Sequence, residues 1–216
     1  MPELAHDTAG TGDPTMLCLH GWCCDHRFFG PQLEHFSDRH RVVAVDLPGH
    51  GTSAPPDEYT IDALAREVGS FAASSDIRGA IVVGHSLGAM VALALTRCAP
   101  DAVGALVLID PPPLTTDAWK GIAAQVLPTL RGPGGAAARR RFVEQMFLPT
   151  DDADRRAWIT EAMCAVPDEV AIPMFEAWRR TTETQTCEHA TFPCSRWRQP
   201  CRPTSGTSCW RRTPRP

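Results

Sequence analysis

The residues best suited to chemistry are Gly84-His85-Ser86-Leu87-Gly88, a G-x-S-x-G pattern. The pattern follows the apolar run Ala80–Val83 and opens Ala89–Cys98, a helical stretch stopped by Pro100. A serine between a strand and a helix sits on a sharp turn, and flanking glycines let strand and helix approach closely. Its Oγ is then held out at the C-terminal edge of a sheet, above a helix N-terminus that favours negative charge. Ser86 is the expected catalytic nucleophile.

A second segment, His20-Gly21-Trp22, follows the apolar run Met16–Leu19. A loop there can bring a backbone N–H to the serine. An oxyanion hole takes two preorganised N–H donors, each worth about 3 kcal/mol in a transition state. The main-chain N–H groups of Trp22 and Leu87 form the natural pair, and the His20 side chain is expected to pack the loop. Asp46-Leu47-Pro48-Gly49-His50-Gly51-Thr52-Ser53 has glycines suited to a sharp turn and reads as scaffold without a catalytic role.

These loops need a frame. Met16–Leu19, Val42–Val45, Ala80–Val83 and Ala105–Ile109 are short, β-rich and bounded by Gly, Pro or Asp, as buried parallel strands are. Thr60–Ser74 places Ile61, Leu64, Val68, Phe71 and Ala72 at helical spacing, with Thr60 as N-cap. Strands alternating with helices give a three-layer α/β/α sandwich with a mostly parallel sheet. Beyond it, Asp117–Leu127, Gly135–Phe147, Asp152–Ala165 and Asp168–Arg179 read as helices punctuated by proline. The expected division is a core over 1–112, a helical cap or lid over 113–182, and a tail over 183–216.

Net charge is −4 and aromatic residues make 7% of the 216. No basic excess points to nucleic acid and no long acidic tract to disorder. Residues 1–20 hold Glu3, Asp7 and Asp13 without an apolar run, so no signal peptide is expected, and no stretch is long enough to span a bilayer. A cytoplasmic location follows. Nine cysteines is an odd count, and without a secretory context a disulfide framework is not expected.

In this order and spacing, His20-Gly21-Trp22, Asp46–Ser53 and Gly84–Gly88 resemble the α/β-hydrolase fold superfamily, over residues 15–112 and with 113–182 as cap. The resemblance implies Ser-dependent hydrolysis of an ester, lactone or related carbonyl substrate. Serine attacks, a histidine takes its proton, and a carboxylate orients the histidine. It implies no metal or organic cofactor, and a small-molecule substrate as the partner, with the oligomeric state open. C–C bond hydrolases, haloperoxidase-like enzymes and cofactor-free dioxygenases share the motifs and are the alternatives. His20–Arg27 resembles the dioxygenases, though Cys24 stands where they carry a histidine. Asp110 stands where some members keep the acid. The cap would shape an apolar pocket from Trp119, Phe147, Met163, Met174, Phe175 and Trp178, although ordinary cap core is the stronger expectation for them.

The resemblance places the acid and histidine after Ser86, yet His189 is the only later histidine and no strand precedes it. No catalytic histidine is assigned. From about 183 the texture breaks: Cys187, Cys194, Cys201 and Cys209 fall among Pro, Ser, Thr, Trp and six arginines, without periodicity. Disorder is expected there, with the fold truncated after its sixth strand and cap. The cysteines lie seven or eight apart, unlike the close pairs of structural zinc sites. A displaced reading frame from about 183 is the expected cause of the break. Back-translated with GC-rich codons and read from each third base, 183–216 permits an apolar strand, a turn and an amphipathic helix. An inactive truncated pseudoenzyme is the corresponding alternative function.

Overall fold

A computed structural model describes residues 4–111, 117–184, 197–198 and 207–212. Strands β1 (His6–Ala9) and β2 (Met16–Leu19) precede helix α1 (Gly30–Phe36) and strand β3 (Val42–Val45). Helix α2 (Ile61–Ser74), strand β4 (Ala80–His85), helix α3 (Leu87–Cys98) and strand β5 (Val103–Ile109) complete the alternating part. Four helices follow, α4 (Asp117–Arg131), α5 (Gly135–Glu144), α6 (Ala153–Ala165) and α7 (Asp168–Thr184), then strands β6 (Trp197–Arg198) and β7 (Thr207–Arg212).

One sheet holds all seven described strands in the order β1-β3-β2-β4-β5-β7-β6. Its centre, β3-β2-β4-β5, is parallel, while β1 and β7 pair antiparallel with β3 and β5. The parallel strands are the four apolar runs of the sequence, and successive side chains go to opposite faces. Leu17, Leu19, Val43, Val45 and Val82 join α2 and α3 in the larger core. Met16, Cys18, Val42, Ala44 and Val83 form a second cluster with Phe29, backed by Leu33 and Phe36 of α1. The sandwich expected from the sequence is therefore present.

Helix α2 starts where the sequence places it. The Thr60 side chain accepts from the Ala63 N–H at 3.1 Å, a cap worth about 1 kcal/mol. Its buried face, including Leu64, Val68 and Phe71, packs into the larger core beside α3. The expectation of four helices after the core is met by α4–α7, whose buried Val143, Met163, Met174 and Phe175 continue the larger core.

Three elements differ from the sequence reading. β1 is polar and half-exposed, held by backbone pairing at an edge, so it shows no apolar run. α1 is one short helix opening with Gly30-Pro31. The tail, expected to lack regular structure, holds β6 and β7. β7, which contains Thr207 and Trp210 of strand-favoured types, pairs with the otherwise open edge of β5. His189 and the remaining tail cysteines except Cys209 lie outside the described residues. No helix among those described is long and apolar enough to cross a membrane.

Candidate active site

Ser86 sits between β4 and α3 as the N-cap of α3, with φ 49° and ψ −113°. A non-glycine residue at positive φ is strained by about 1–3 kcal/mol and persists only where its surroundings force it. Here they do. The Ser86 N–H donates to Ile109 O at the end of β5 at 3.0 Å, and Ser86 O accepts from the Ala89 N–H at 2.9 Å. The glycines on either side are spatial necessities. A Cβ at Gly84 would lie 2.4 Å from Gly88 O, and one at Gly88 would lie 2.1 Å from Leu19 O. The turn therefore brings β4, α3 and the end of β2 into backbone contact.

Leu87, fully buried, is the first residue of α3, so its N–H belongs to the set a helix leaves without an intrahelical acceptor. The His20–Trp22 loop lies against the same turn. A Cβ at Gly21 would stand 3.5 Å from Ser86 Cβ and 2.8 Å from His85 Nδ1, so only glycine fits without displacing the His85 ring. Gly21, the residue before Trp22, thus lies beside Ser86, which Leu87 follows, at the C-terminal ends of β2 and β4.

The loop is held from several sides. The Cys24 N–H closes a turn onto Gly21 O at 3.2 Å, with Cys23 left-handed at φ 57°. The Leu47 N–H donates to His20 Nε2 at 2.9 Å, and His20 Nδ1 contacts Gly21 O at 2.8 Å. Burial and the neighbouring His50 bring the pKa of His20 down to about 3, so the ring is neutral. Trp22 is buried, its indole Nε1 donating to Ala171 O of α7 at 2.8 Å. Its ring meets Phe175 at 5.2 Å and Phe142 at 6.0 Å, both edge-on. Of the expected pocket residues, Met163, Met174 and Phe175 are buried core and Phe147 is half-buried. The side chains of Trp119 and Trp178 lie outside those described.

Asp110 follows β5 directly, exposed and left-handed at φ 44°. Its backbone neighbour Ile109 is the residue to which Ser86 is bonded, and Ile109 pairs with His85 in the strand register. Burial lowers the His85 pKa and the Asp110 charge works against that shift. This proximity of His85 and Asp110 was absent from the sequence reading. Its only sequence signal is that both residues end predicted neighbouring strands. No described residue beyond Ser86 is a histidine.

Asp46, fully buried, shows what the Asp46–Ser53 loop does. Its Oδ1 accepts from the His26 main-chain N–H and meets His26 Nδ1, both at 2.8 Å, and its Oδ2 accepts from the Thr52 N–H at 2.9 Å. Gly51 is left-handed at φ 53°, and a Cβ there would strike the carboxylate at 2.0 Å. Asp25, His26 and Asp46 also place ligand-type atoms within 4.8 Å of one another. The Asp46 oxygens are already engaged by N–H donors and Asp25 pairs with Arg27 at 2.6 Å, so the group works as a clamp between loops. Burial pushes Cys18 and Cys24 up to about 12, which holds them as thiols.

Comparison with known proteins agrees with this fold. The model of the alpha/beta hydrolase family matches residues 16–216. A pimeloyl-[acyl-carrier protein] methyl ester esterase of Sodalis glossinidius is 36% identical over 129 residues, covering 59% of this chain and 49% of that protein. One of Methylococcus capsulatus is 32% identical over 165 residues, covering 76% and 58%. The chain spans about half the length of these curated relatives. Among solved structures, an esterase from Exiguobacterium antarcticum superposes with a TM-score of 0.73 at 19% identity, over 82% of this chain and 69% of that one. With a strained serine between β4 and α3, a glycine-spaced loop beside it and a family match over most of its length, the chain belongs to the alpha/beta hydrolase family.

Proposed function

We propose that the protein is a serine-dependent hydrolase of an ester, lactone or related carbonyl substrate, with Ser86 as nucleophile. The observation that carries this is the Ser86 backbone, bent to φ 49° at the head of α3 beside the Gly21–Trp22 peptide. A base other than the residues assigned so far takes the Ser86 hydroxyl proton as Oγ attacks the carbonyl carbon, the charge on the carbonyl oxygen falls to the N–H groups of Trp22 and Leu87, and the base returns the proton to the leaving alcohol. The bond to the leaving alcohol then breaks, and water releases the acid from the acyl-serine. Helices α4–α7 act as the cap over this site. The two curated relatives carry methyl ester esterase names, and a methyl ester belongs to the proposed class. Asp110 is the candidate acid, directly following Ile109, whose carbonyl accepts from the Ser86 N–H.

A second reading, a chain impaired in turnover, is favoured by one observation. The sequence holds one histidine after Ser86, His189, and the last described element before it is helix α7, not a strand. Losing the general base costs several orders of magnitude in rate. Hydrolysis of an aryl ester by the wild type and by Ser86→Ala separates the readings. Turnover abolished in the variant supports the first. Wild-type protein that is labelled at Ser86 by an activated phosphonate yet turns over no ester supports the second. Turnover retained by the variant rejects Ser86 as nucleophile.

A further inference from the structure

We infer that His20 is a positioning residue, whose ring fixes the Gly21–Trp22 peptide in the orientation that presents the Trp22 N–H to the oxyanion formed beside Ser86. The inference rests on the roles proposed above for Ser86 and Trp22.

The proton on His20 can be placed by its neighbours. Leu47 offers an N–H to Nε2 at 2.9 Å, so Nε2 must be the bare, accepting nitrogen. The proton of the neutral ring is then on Nδ1, which donates to Gly21 O at 2.8 Å. The opposite tautomer would set an N–H against the Leu47 N–H and a lone pair against the Gly21 carbonyl. It would lose both bonds in a buried place.

Gly21 O belongs to the same peptide unit as the Trp22 N–H. That peptide is trans, so its carbonyl and N–H point in opposite directions. Two donors, His20 Nδ1 and the Cys24 N–H, hold the carbonyl on one side. The N–H is thereby committed to the other. Gly21 itself lies against Ser86, within 3.5 Å for an added Cβ. Without His20 the carbonyl keeps only the longer bond from Cys24, at 3.2 Å, and the peptide is free to turn. A turned peptide would replace a donor with an acceptor where negative charge develops.

The ring is well placed to do this. His20 is 1% exposed, and it meets His50 edge-on at 5.1 Å between ring centres. It bridges two loops that follow different strands, the His20–Trp22 loop after β2 and the Asp46–Ser53 loop after β3. The second loop is itself fixed through the buried carboxylate of Asp46.

The test combines nitrogen-15 NMR of the full chain, labelled at histidine and tryptophan, with hydrolysis of 4-nitrophenyl butyrate. Expected are a protonated Nδ1 and a bare Nε2 on His20. His20→Ala should shift the Trp22 amide resonance and lower kcat by about tenfold or more, with KM within about twofold. His20→Asn, whose side-chain amide can donate near the position of Nδ1, should recover most of that kcat. A role in packing alone would leave Asn and Ala equally impaired. The inference is overturned by an Nε2-protonated ring, by a Trp22 amide unmoved in His20→Ala, or by Asn failing to rescue. Should His20→Ala not fold, the wild-type tautomer and the Trp22 amide of His20→Asn still decide. Turnover surviving Ser86→Ala would remove the nucleophile assignment, while the NMR results would still judge the His20 geometry.

Discussion

The indole Nε1 of Trp22 donates to the main-chain carbonyl of Ala171, 2.8 Å away. The bond ties the loop beside Ser86 to α7, and the same tryptophan supplies the proposed main-chain donor. Trp22→Phe keeps the ring contacts and the main chain but loses this bond. A loss of about 1 kcal/mol is expected in urea denaturation, with kcat largely preserved. Trp22→Ala also vacates the space against Phe142 and Phe175 and should cost about 3–5 kcal/mol. Equal stabilities for the two variants would show that the aromatic contacts contribute nothing.

Gly88→Ala tests the close approach of α3 to β2. Its Cβ would meet Leu19 O at 2.1 Å and His20 O at 2.6 Å, and neither is a side chain that can swing aside. The helix must move off the strand, so a loss of about 3 kcal/mol is expected, at the upper end for overpacking. Ester hydrolysis should fall with it, because the Leu87 N–H moves with the helix. Denaturation and activity assays on the purified variant check both, and a wild-type-like Gly88→Ala would contradict the contact.

Asp46→Asn keeps the size of the side chain but turns one acceptor into a donor facing N–H groups. His26 and Thr52 each lose or weaken a charge-assisted bond, at a combined cost of about 2–3 kcal/mol. Thermal and urea denaturation should show the loss. A neutral result would mean that the clamp between the loops is unimportant to stability.

Acid should weaken the fold through His20. Its pKa is near 3 in the folded chain because it is buried, against an ordinary 6.5. Above about pH 6.5 the ring is neutral in both folded and unfolded chains, and its contribution is complete. Below that the unfolded chain takes up a proton that the folded chain refuses until about pH 3, so stability falls by about 1.4 kcal/mol per pH unit across the window. Burial also lowers His50 and His85, in the same sense. Urea titrations at about pH 7.5 and about pH 5.5 should differ by at least 1 kcal/mol. His20→Asn should flatten the dependence.

What the sequence made legible is the part governed by local pattern. β2 and β3 match the predicted runs residue for residue, and the Thr60 cap and the face of α2 follow from spacing alone. The serine turn is also local, a glycine-spaced pentapeptide between two recognisable elements. What escaped is held by long-range pairing. β1 is a strand because β3 offers it backbone partners, and β7 because β5 does. His20 reaches Leu47 across 27 residues and Trp22 reaches Ala171 across 149, distances over which periodicity carries no signal. The proximity of His85 to Asp110 likewise comes from the parallel pairing of β4 with β5.

The bent backbone at Ser86 has a further consequence for any attempt to engineer this chain. Glycine tolerates φ 49° freely, so Ser86→Gly should relieve about 1–3 kcal/mol of strain, less about 0.5–1 kcal/mol for the added freedom of the unfolded chain. Selection for thermal endurance alone would therefore favour discarding the very residue proposed to react. Durability and reactivity compete here for one backbone angle, and a screen that rewards only the first would drive this protein toward a sturdier, silent scaffold.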